Sequence, residues 1–409
     1  MRRGIVGLFV ADAVSMLGSR MSMLALPWFV LITSGSAART GLVAFVEMLP
    51  YVLVMAFGGP LLDRIGARRV SVLADLGSAL TVAAIPLLYR GPGLPFEVLV
   101  ALVAATGLLR GFGDSSKRVL LPPAVAASGM PMARATGIQD GINRLATLLG
   151  GPAAGVLIAV LDAPAVLLLD AASFAVAALL IGAFVPTATA PPRERYLAAL
   201  RAGWRFVRGD RLILGIAVML FVTNLLDAAH ASVLAPVWGR DVAGTAAAVG
   251  IMWGIFGVGA VTGNAVFAVV APRLPRYGTF LIGMLIGGAP RFFVPAVTDE
   301  VWPVYLVMLL SGFGIAGVNP VLAAVEYERV PETMQARVLG LTLAIAWGGI
   351  PLGGLLAGWA VSGLGLTSAW WLFGALYLAA TVVPLFLPIW REMDRPTQDQ
   401  GVPQVAMTT

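Results

Sequence analysis

Ionisable side chains recur inside the apolar stretches of this 409-residue sequence, and their types are suited to moving protons or holding charged ligands. A charge at the centre of a membrane costs about 2.5–3.5 kcal/mol on insertion scales, so each needs a partner or a task. A desolvated carboxylate can take up a proton on one side and release it on the other. The set comprises Asp12, Arg20, Glu47, Asp75, Arg110, Asp114, Asp140, Arg144, Asp170, Asp227, His230 and Arg291.

Four of these residues are candidates for proton coupling: Asp12, Glu47, Asp227 and His230. Glu47 lies about 12 Å from the outer end of its apolar stretch, at helical rise. Asp227 precedes His230 by about one turn, so the two could form a proton-sensitive pair, because histidine titrates near neutral pH. The alternative for His230 is a packing residue near the outer end of its helix.

Three arginines are candidates for cavity or gating charges. Arg20 is expected to pair with Glu47 or Asp227, or to anchor an anionic substrate. Arg110 and Arg144 either line a cavity or pair with acids, and the sequence leaves both possibilities open.

Composition identifies the surroundings of these charges as lipid. Apolar residues make up 59% of the chain, charged residues only 12%, and the mean hydropathy is +0.91, whereas soluble domains hold about a quarter charged residues. With no cysteine and one histidine, thiol chemistry and histidine-rich metal sites are excluded, and no metal or cofactor is expected. The net charge of +6 lies in loops, which argues against nucleic acid as a partner.

Apolar segments of membrane-spanning length recur along the chain, and only helices can satisfy their backbone in lipid. The sequence therefore predicts an all-α membrane protein with twelve transmembrane helices. Their approximate bounds are 4–33, 39–62, 70–90, 95–116, 135–160, 163–185, 212–238, 246–271, 278–297, 302–325, 338–362 and 367–389.

Basic residues in the connections predict the orientation. With the N-terminus inside, twenty of the 27 basic residues, Lys117 among them, fall in inner segments and three in outer ones. Such a bias places the N- and C-termini in the cytoplasm. The expected location is the bacterial cell (inner) membrane, with the lipid bilayer as a partner and a monomer as the expected state.

One long connection divides the chain into two six-helix halves. The expected division is an N-terminal bundle at 1–185, a cytoplasmic linker at 186–211, a C-terminal bundle at 212–390, and a disordered tail at 391–409. Within the linker, Tyr196–Arg208 sets Leu197, Leu200, Trp204 and Val207 on one helical face beside three arginines. This pattern predicts an amphipathic helix on the inner leaflet, with a solvated linker as the alternative.

The connection between the second and third spans carries a motif that could form a cytoplasmic latch. Asp63 can pair with an arginine or a helix N-terminus, while Gly59 permits close packing and Gly66 a tight turn. The motif consists of Gly59, Asp63, Arg64, Gly66, Arg68 and Arg69, and it resembles the G-x-x-x-D-R-x-G-x-R-R signature of the major facilitator superfamily.

Further stretches are similar to one branch of that superfamily, the exporters related to macrolide-efflux and enterobactin-export proteins. They include Ala25–Val30, Met48–Pro50, Leu73–Leu76, Leu120–Pro122, Leu168–Phe174, Gly203–Phe206, Val330–Glu332 and Ala336–Val338. The resemblance implies the major facilitator fold, alternating access, and helices 1, 4, 7 and 10 around a central cavity. It also implies that Asp75, Asp170 and Arg291 lie on scaffold helices, where structural pairing is expected.

Glycine and proline cluster in the fifth and eleventh spans, as expected of a duplicated transporter. Gly151, Pro152 and Gly155 match part of the superfamily's helix 5 signature, although Thr147 and Val156 stand where glycine is usual. Arg110 lacks the glutamine of the helix 4 signature, so the resemblance does not by itself give this arginine a role in antiport.

Substrate contacts are expected from aromatic and amide side chains, and Asn319-Pro320 in the tenth span is expected to mark a bend used in gating. The candidates are Trp28, Phe221, Asn224, Trp253, Phe256, Asn319 and Trp347. Packing and lipid-facing positions are the alternatives for these rings.

The sequence as a whole predicts a secondary transporter that exports small amphiphilic molecules, such as a drug or secondary metabolite, by proton antiport. A carrier of a polar solute, such as a siderophore or sugar, is the alternative, although few amides and acids occur in the spans. An enzyme is not expected, because neither a nucleophile–base set nor a D-D-x-x-D motif occurs. A sensor is disfavoured because the chain has no large soluble extension.

Overall fold

The computed structural model describes residues 2–186 and 196–394, apart from the side chains of Arg2, Pro60, Asp63, Ala202, Ala336 and residues 196–200. Six long helices form the first half. Helices 1 to 6 run Arg2–Ser34, Ala37–Phe57, Ala67–Arg90, Phe96–Ser128, Met132–Val160 and Ala163–Phe184, and a short helix, Gly59–Ile65, joins helices 2 and 3.

The second half begins after the connector helix, Tyr196–Gly209, and contains helices 7 to 12. Helix 7 runs Arg211–Ala229 and continues through a π-helical turn, His230–Leu234, to Ala235–Asp241. Helices 8 and 12 are Ala246–Val270 and Leu366–Phe386. Helices 9, 10 and 11 each have two segments: Arg276–Gly287 and Pro290–Val297, Val301–Ile315 and Val318–Arg329, Gln335–Gly348 and Ile350–Leu364.

Twelve helices in the described residues are long and apolar enough to cross a membrane, which confirms the expected number. With an even number of crossings, both ends of the bundle's chain lie at one face. We call this the inner face, because the arginine distribution predicts it to be cytoplasmic, and the opposite one the outer face.

Two helix ends differ from the sequence expectation. Helix 4 was expected to end at 116, but it continues to Ser128, because the charge of Lys117 is satisfied by side chains of neighbouring helices and does not end the span. The assignment of Lys117 to an inner loop was therefore wrong. Helix 2 was expected to reach 62, yet it ends at Phe57, and Gly58 separates it from the short helix.

Polar side chains start several of the helices. Ser36 accepts a hydrogen bond from the backbone N–H of Arg39 and so caps helix 2, while Thr245 caps helix 8 in the same way at Ala247. Asp210 accepts from two N–H groups at the start of helix 7. These acceptors satisfy backbone donors that have no partner within a helix.

The helices of each half pack against one another, and one apolar cluster extends across both halves. In the first half, helix 6 lies against helices 1 and 3, and helix 4 lies against helices 2 and 3. In the second, helix 10 lies against helices 8 and 9, and helix 12 packs on helix 9. Helices 2 and 5 of the first half contact helices 11 and 8 of the second, and these contacts join the halves.

Helix 10 does contain a break, but not at the expected residues. Its two segments are separated by Ala316 and Gly317, so the break precedes Asn319-Pro320 by two residues. The proline lies in the first turn of the second segment, where its missing N–H removes no helical hydrogen bond.

The connector helix lies on the inner face against the second half. Val207 is fully buried in a small cluster with Ile213, Val330 and Val338. Arg201, Arg205 and Arg208 are exposed, while Trp204 is partly exposed beneath the Arg208 guanidinium. The expected contacts of Leu197 and Leu200 lie outside the described residues, as does the tail from residue 395.

Candidate transport site

Glycines bring helices 2 and 11 together near the outer face. A Cβ on Gly358 would come within 3.1 Å of the Gly41 Cα, and one on Gly354 within 2.9 Å of the Ala44 Cβ. The Ala38 N–H also donates to the Ser362 hydroxyl at 3.1 Å. The two helices therefore meet backbone to backbone, which larger side chains would prevent.

Helices 5 and 8 form a second close contact near the outer face, and it uses the helix 5 motif. A Cβ on Gly151 would lie 3.1 Å from the Trp253 side chain, and one on Gly155 2.9 Å from the Gly250 Cα. Pro152 packs against Gly254. The expected role of this motif in close helix approach thus has a defined partner, helix 8.

Toward the inner face the same helices separate. Gly137 and Gly141 of helix 5 and Gly340 of helix 11 have no atom within 4 Å of an added Cβ. Asp140 and Arg144 of helix 5 bond to each other at 2.7 Å, with side chains 58% and 62% exposed. A space between the halves is therefore open at the inner face and closed at the outer one.

Glu47 and Arg110 form an ion pair at mid-depth in the first half. Their side chains lie 2.5 Å apart and are 9% and 10% exposed. The Arg110 guanidinium also lies 5.9 Å from the Tyr51 ring, whose hydroxyl donates to Asp114 at 3.0 Å. Tyr51 in turn stacks on Trp347 of helix 11 at 6.4 Å, so this cluster reaches the second half.

Lys117, the one lysine of the chain, forms a buried centre that sequence reasoning missed. Its ammonium donates to Asp75 of helix 3 at 3.2 Å and to the Ser15 hydroxyl of helix 1 at 2.7 Å. The ion pair is almost fully buried. A lone lysine after a glycine-rich helical stretch, with an acid in the adjacent span, was the available signal.

Arg20 does not pair with Glu47 or Asp227, and that expectation was wrong. It donates to the Asn143 side chain of helix 5 at 3.2 Å, because Glu47 is bound by Arg110 and Asp227 by Arg291. Asp12 accepts a hydrogen bond from Gln139, also of helix 5.

Asp170 is buried and accepts a hydrogen bond from the Ser22 hydroxyl at 2.5 Å. This contact is of the structural kind expected for a scaffold helix. Arg144 and Arg110, left open by the sequence, both have acidic partners.

Asp227 and Arg291 form an ion pair at mid-depth in the second half. The Arg291 guanidinium lies 5.4–5.9 Å from the rings of Phe256, Phe292 and Tyr377. The expected pairing of Asp227 with His230 is not formed. His230 is buried instead among aromatic rings, 5.3 Å from Phe292, where its Nε2 has no hydrogen-bond partner.

The candidate substrate contacts divide into packing and interface positions. Trp28 packs near Gly239 at the outer contact, and Phe221 packs on the Gly348-Gly349 break of helix 11. Asn224 donates to the Ala346 carbonyl at 3.0 Å, whereas Asn319 is exposed. Trp253, Phe256 and Trp347 lie at the contacts described above.

The expected latch motif is only partly described. Gly66 has a φ of +93° and makes the turn before helix 3. The Arg68 side chain donates to the Ile181 and Gly182 carbonyls at the end of helix 6, within the first half. Gly59 begins the short helix and Arg64 lies in its last turn. Arg69 is exposed, and the Asp63 side chain lies outside the described residues.

A family model, the Major Facilitator Superfamily, matches residues 8–341 and again residues 220–406. The chain belongs to this superfamily. Its members are transporters and not enzymes, and the chain is a multi-pass protein of the bacterial inner membrane.

Two relatives represent the similarity in sequence. The multidrug efflux pump Tap of Mycobacterium tuberculosis is 28% identical over 398 residues, covering 94% of this chain and 93% of the pump. The staphyloferrin A transporter of Staphylococcus aureus is 25% identical over 173 residues, 42% of this chain and 43% of the transporter.

Solved structures confirm the fold. The nucleoside transporter NupG superposes with a TM-score of 0.75 at 14% identity, over 96% of this chain and 99% of that one. A bacterial homologue of the iron transporter ferroportin in an inward-facing state gives 0.69 at 16% identity, over 96% and 99%.

Proposed function

We propose that this chain is a secondary active exporter of small amphiphilic drugs or metabolites, working by alternating access and driven by protons. The observation that carries the proposal is the one-sided contact between the halves. Helix 5 touches helix 8 at Gly155 and Gly250 near the outer face, whereas Gly137 and Gly141, nearer the inner end of helix 5, face open space. The interface between helices 5 and 8 is thus closed in its outer part and open in its inner part.

The helix register supports a second, oppositely closed state. Gly155 contacts Gly250, Gly151 contacts Trp253, and Leu148 contacts Gly257. The residue numbers fall along helix 5 as they rise along helix 8, so the two helices run antiparallel. Extended in the same register, Gly137 would meet Ala268, and both residues are small and exposed. Small residues at a helix interface permit close approach in lipid.

Relatives favour a drug or metabolite as the cargo. Tap is a multidrug efflux pump and matches along almost the whole chain. The staphyloferrin A transporter matches less than half, which makes a siderophore carrier the second candidate. The aromatic side chains at the contacts between halves, Trp253 and Trp347 among them, favour amphiphilic molecules over sugars.

Glu47 and Arg110 are the proposed coupling pair. A carboxylate that is protonated gives up its ion pair with arginine, so proton uptake and release by Glu47 would free and recapture Arg110. Through Tyr51, this cluster touches Trp347 of the other half. Asp12, Asp227 and His230 are the other coupling candidates, and Arg20 and Arg144 remain candidates for gating.

Paired cysteines test alternating access, and the absence of native cysteine makes the background clean. A disulfide needs Cα atoms within about 7 Å. Ala38→Cys with Ser362→Cys is expected to cross-link near the outer face in the state described above. Gly137→Cys with Ala268→Cys is expected to cross-link only when the inner face closes.

Substrate should shift the two cross-linking yields in opposite directions. Two yields that change together, or an inner pair that never cross-links under turnover, would overturn alternating access.

Proteoliposomes with an internal pH-sensitive dye test coupling. Substrate added to the wild type should move protons, and Glu47→Gln should abolish that movement. Asp162→Asn is the control, because this carboxylate pairs with Arg90 at the outer ends of helices 6 and 3, with both side chains about half exposed. Proton movement that survives in Glu47→Gln would show that another group couples.

A further inference from the structure

Asp227 differs from the other mid-membrane acids in its exposure. Its side chain is 42% exposed, against 9% for Glu47 and 2% for Asp75. Its position halfway along helix 7 places it far from both faces of the bundle. An exposed carboxylate at this depth must face the space between the halves, because lipid would not solvate it.

The position of Asp227 is the closed end of that space. Ser232, five residues later on helix 7, lies 2.9 Å from the Cβ position of Gly354, where helix 11 meets helix 2. Five residues correspond to about 7 Å of helix. A molecule entering from the inner face would therefore reach Asp227 just before it reached the outer contact.

The ion pair with Arg291 does not cancel the charge at this surface. The Arg291 side chain is only 9% exposed and lies against the rings of Phe256, Phe292 and Tyr377, so it is fixed behind the carboxylate. The pair is a dipole whose accessible end is negative.

One turn earlier, Asn224 uses its amide N–H on the Ala346 carbonyl, which leaves its oxygen as an acceptor. Acceptors therefore predominate on this face of helix 7.

We infer that Asp227 binds the cationic group of the substrate, a protonated amine, an amidinium or a quaternary onium centre, while aromatic side chains contact its apolar body. The inference rests on the proposed function, because it assumes that this space is the transport site. It assigns Asp227 to substrate recognition and leaves proton coupling to Glu47.

Two ions of the same shape and opposite charge test the inference. Binding of tetraphenylphosphonium and of tetraphenylborate is measured on the purified full chain in lipid nanodiscs, with neutral triphenylphosphine oxide as the reference. Asp227→Asn should weaken tetraphenylphosphonium binding by about tenfold or more, as expected for the loss of a charge-assisted contact. Binding of the neutral probe should change less than about twofold.

Three further variants make the result decisive. Asp227→Glu keeps the charge and should retain the cation affinity. Arg291→Gln exposes more negative charge and should hold or tighten it. Asp162→Asn, at the outer end of helix 6 where the carboxylate pairs with Arg90, removes an acid that has no assigned part in transport and should leave it unchanged.

Equal loss of all probes in Asp227→Asn would mean a structural role and overturn the inference, as would cation binding equal to that of the wild type. Loss of tetraphenylborate binding in Arg291→Gln, with cation binding intact in Asp227→Asn, would assign the site to anions instead.

The measurement needs no transport, so the two proposals fail separately. If wild-type vesicles move no protons but the cation affinities follow the expected pattern, the proposal of proton coupling fails and the binding site at Asp227 holds. If transport is coupled to protons but the wild type and Asp227→Asn bind the cation equally well, the proposed function holds and the inference about Asp227 fails.

Discussion

The two halves stabilise their buried charges in different ways. The first half spreads its acids over helices 1, 2, 3 and 6 and gives each a donor from a neighbouring helix, as in Asp75–Lys117 and Glu47–Arg110. The second half has the pair Asp227–Arg291 at mid-depth, and aromatic rings surround its guanidinium.

The helices differ in the same sense. Helices 1, 3, 4, 5 and 6 are continuous, whereas helices 9, 10 and 11 are each interrupted once and helix 7 contains a π-helical turn. A charge-assisted hydrogen bond holds two groups at one short distance, whereas an aromatic pair is stable in either of two arrangements, offset-stacked or edge-to-face. The comparison suggests a first half that carries the proton chemistry on a rigid frame and a second half whose helices bend around the substrate.

The largest effect is expected from breaking the charged frame of the first half. Lys117→Met leaves the Asp75 carboxylate buried and unpaired, which should lower the free energy of unfolding by about 3–5 kcal/mol. Denaturant unfolding in detergent micelles measures it. The double variant Asp75→Asn/Lys117→Met should recover most of the loss, because no charge remains buried. Equal losses in the single and double variants would show that the pair is not what stabilises this half.

A smaller effect is expected from the rings of the second half. Phe292→Leu keeps an apolar side chain but removes ring contacts to His230, Trp370 and Tyr377. Aromatic contacts contribute about 0.5–1.5 kcal/mol each, so a loss of about 2 kcal/mol is expected in the same unfolding measurement. Phe386→Leu is the matched control, since that ring is 77% exposed. If the two variants unfold alike, the aromatic cluster does not hold this half together.

The smallest effect is expected at the exposed pair of helix 5. Arg144→Gln should change the free energy of unfolding by less than about 1 kcal/mol, because both side chains of the pair are solvated. Added salt should reduce even that difference. A loss approaching that of Lys117→Met would indicate that the space between the halves is closed at this depth, contrary to the open space beside Gly137 and Gly141.

Much of the architecture followed from local signals. Span-length apolar segments determine the number of helices, because lipid leaves the backbone no other arrangement, and all twelve are present. The signature around Gly59 and Gly66 indicated the superfamily that the family model confirms. Glycine and proline are weaker guides to breaks: a bend was expected at Asn319-Pro320, but helix 10 is interrupted at Ala316-Gly317, and the Gly/Pro cluster of helix 5 leaves that helix continuous.

The partners of the buried charges were decided only by the tertiary structure. The sequence showed that Glu47, Asp227 and Arg20 each needed a partner, and it predicted that Arg20 would pair with one of the two acids. In the folded structure Glu47 pairs with Arg110 and Asp227 with Arg291. Lys117, which was assigned to a loop, is buried beside Asp75. Hydropathy is a property of one segment, whereas an ion pair depends on the rotation of two helices about their axes. That rotation is set by the interlocking of many side chains, and no single segment encodes it.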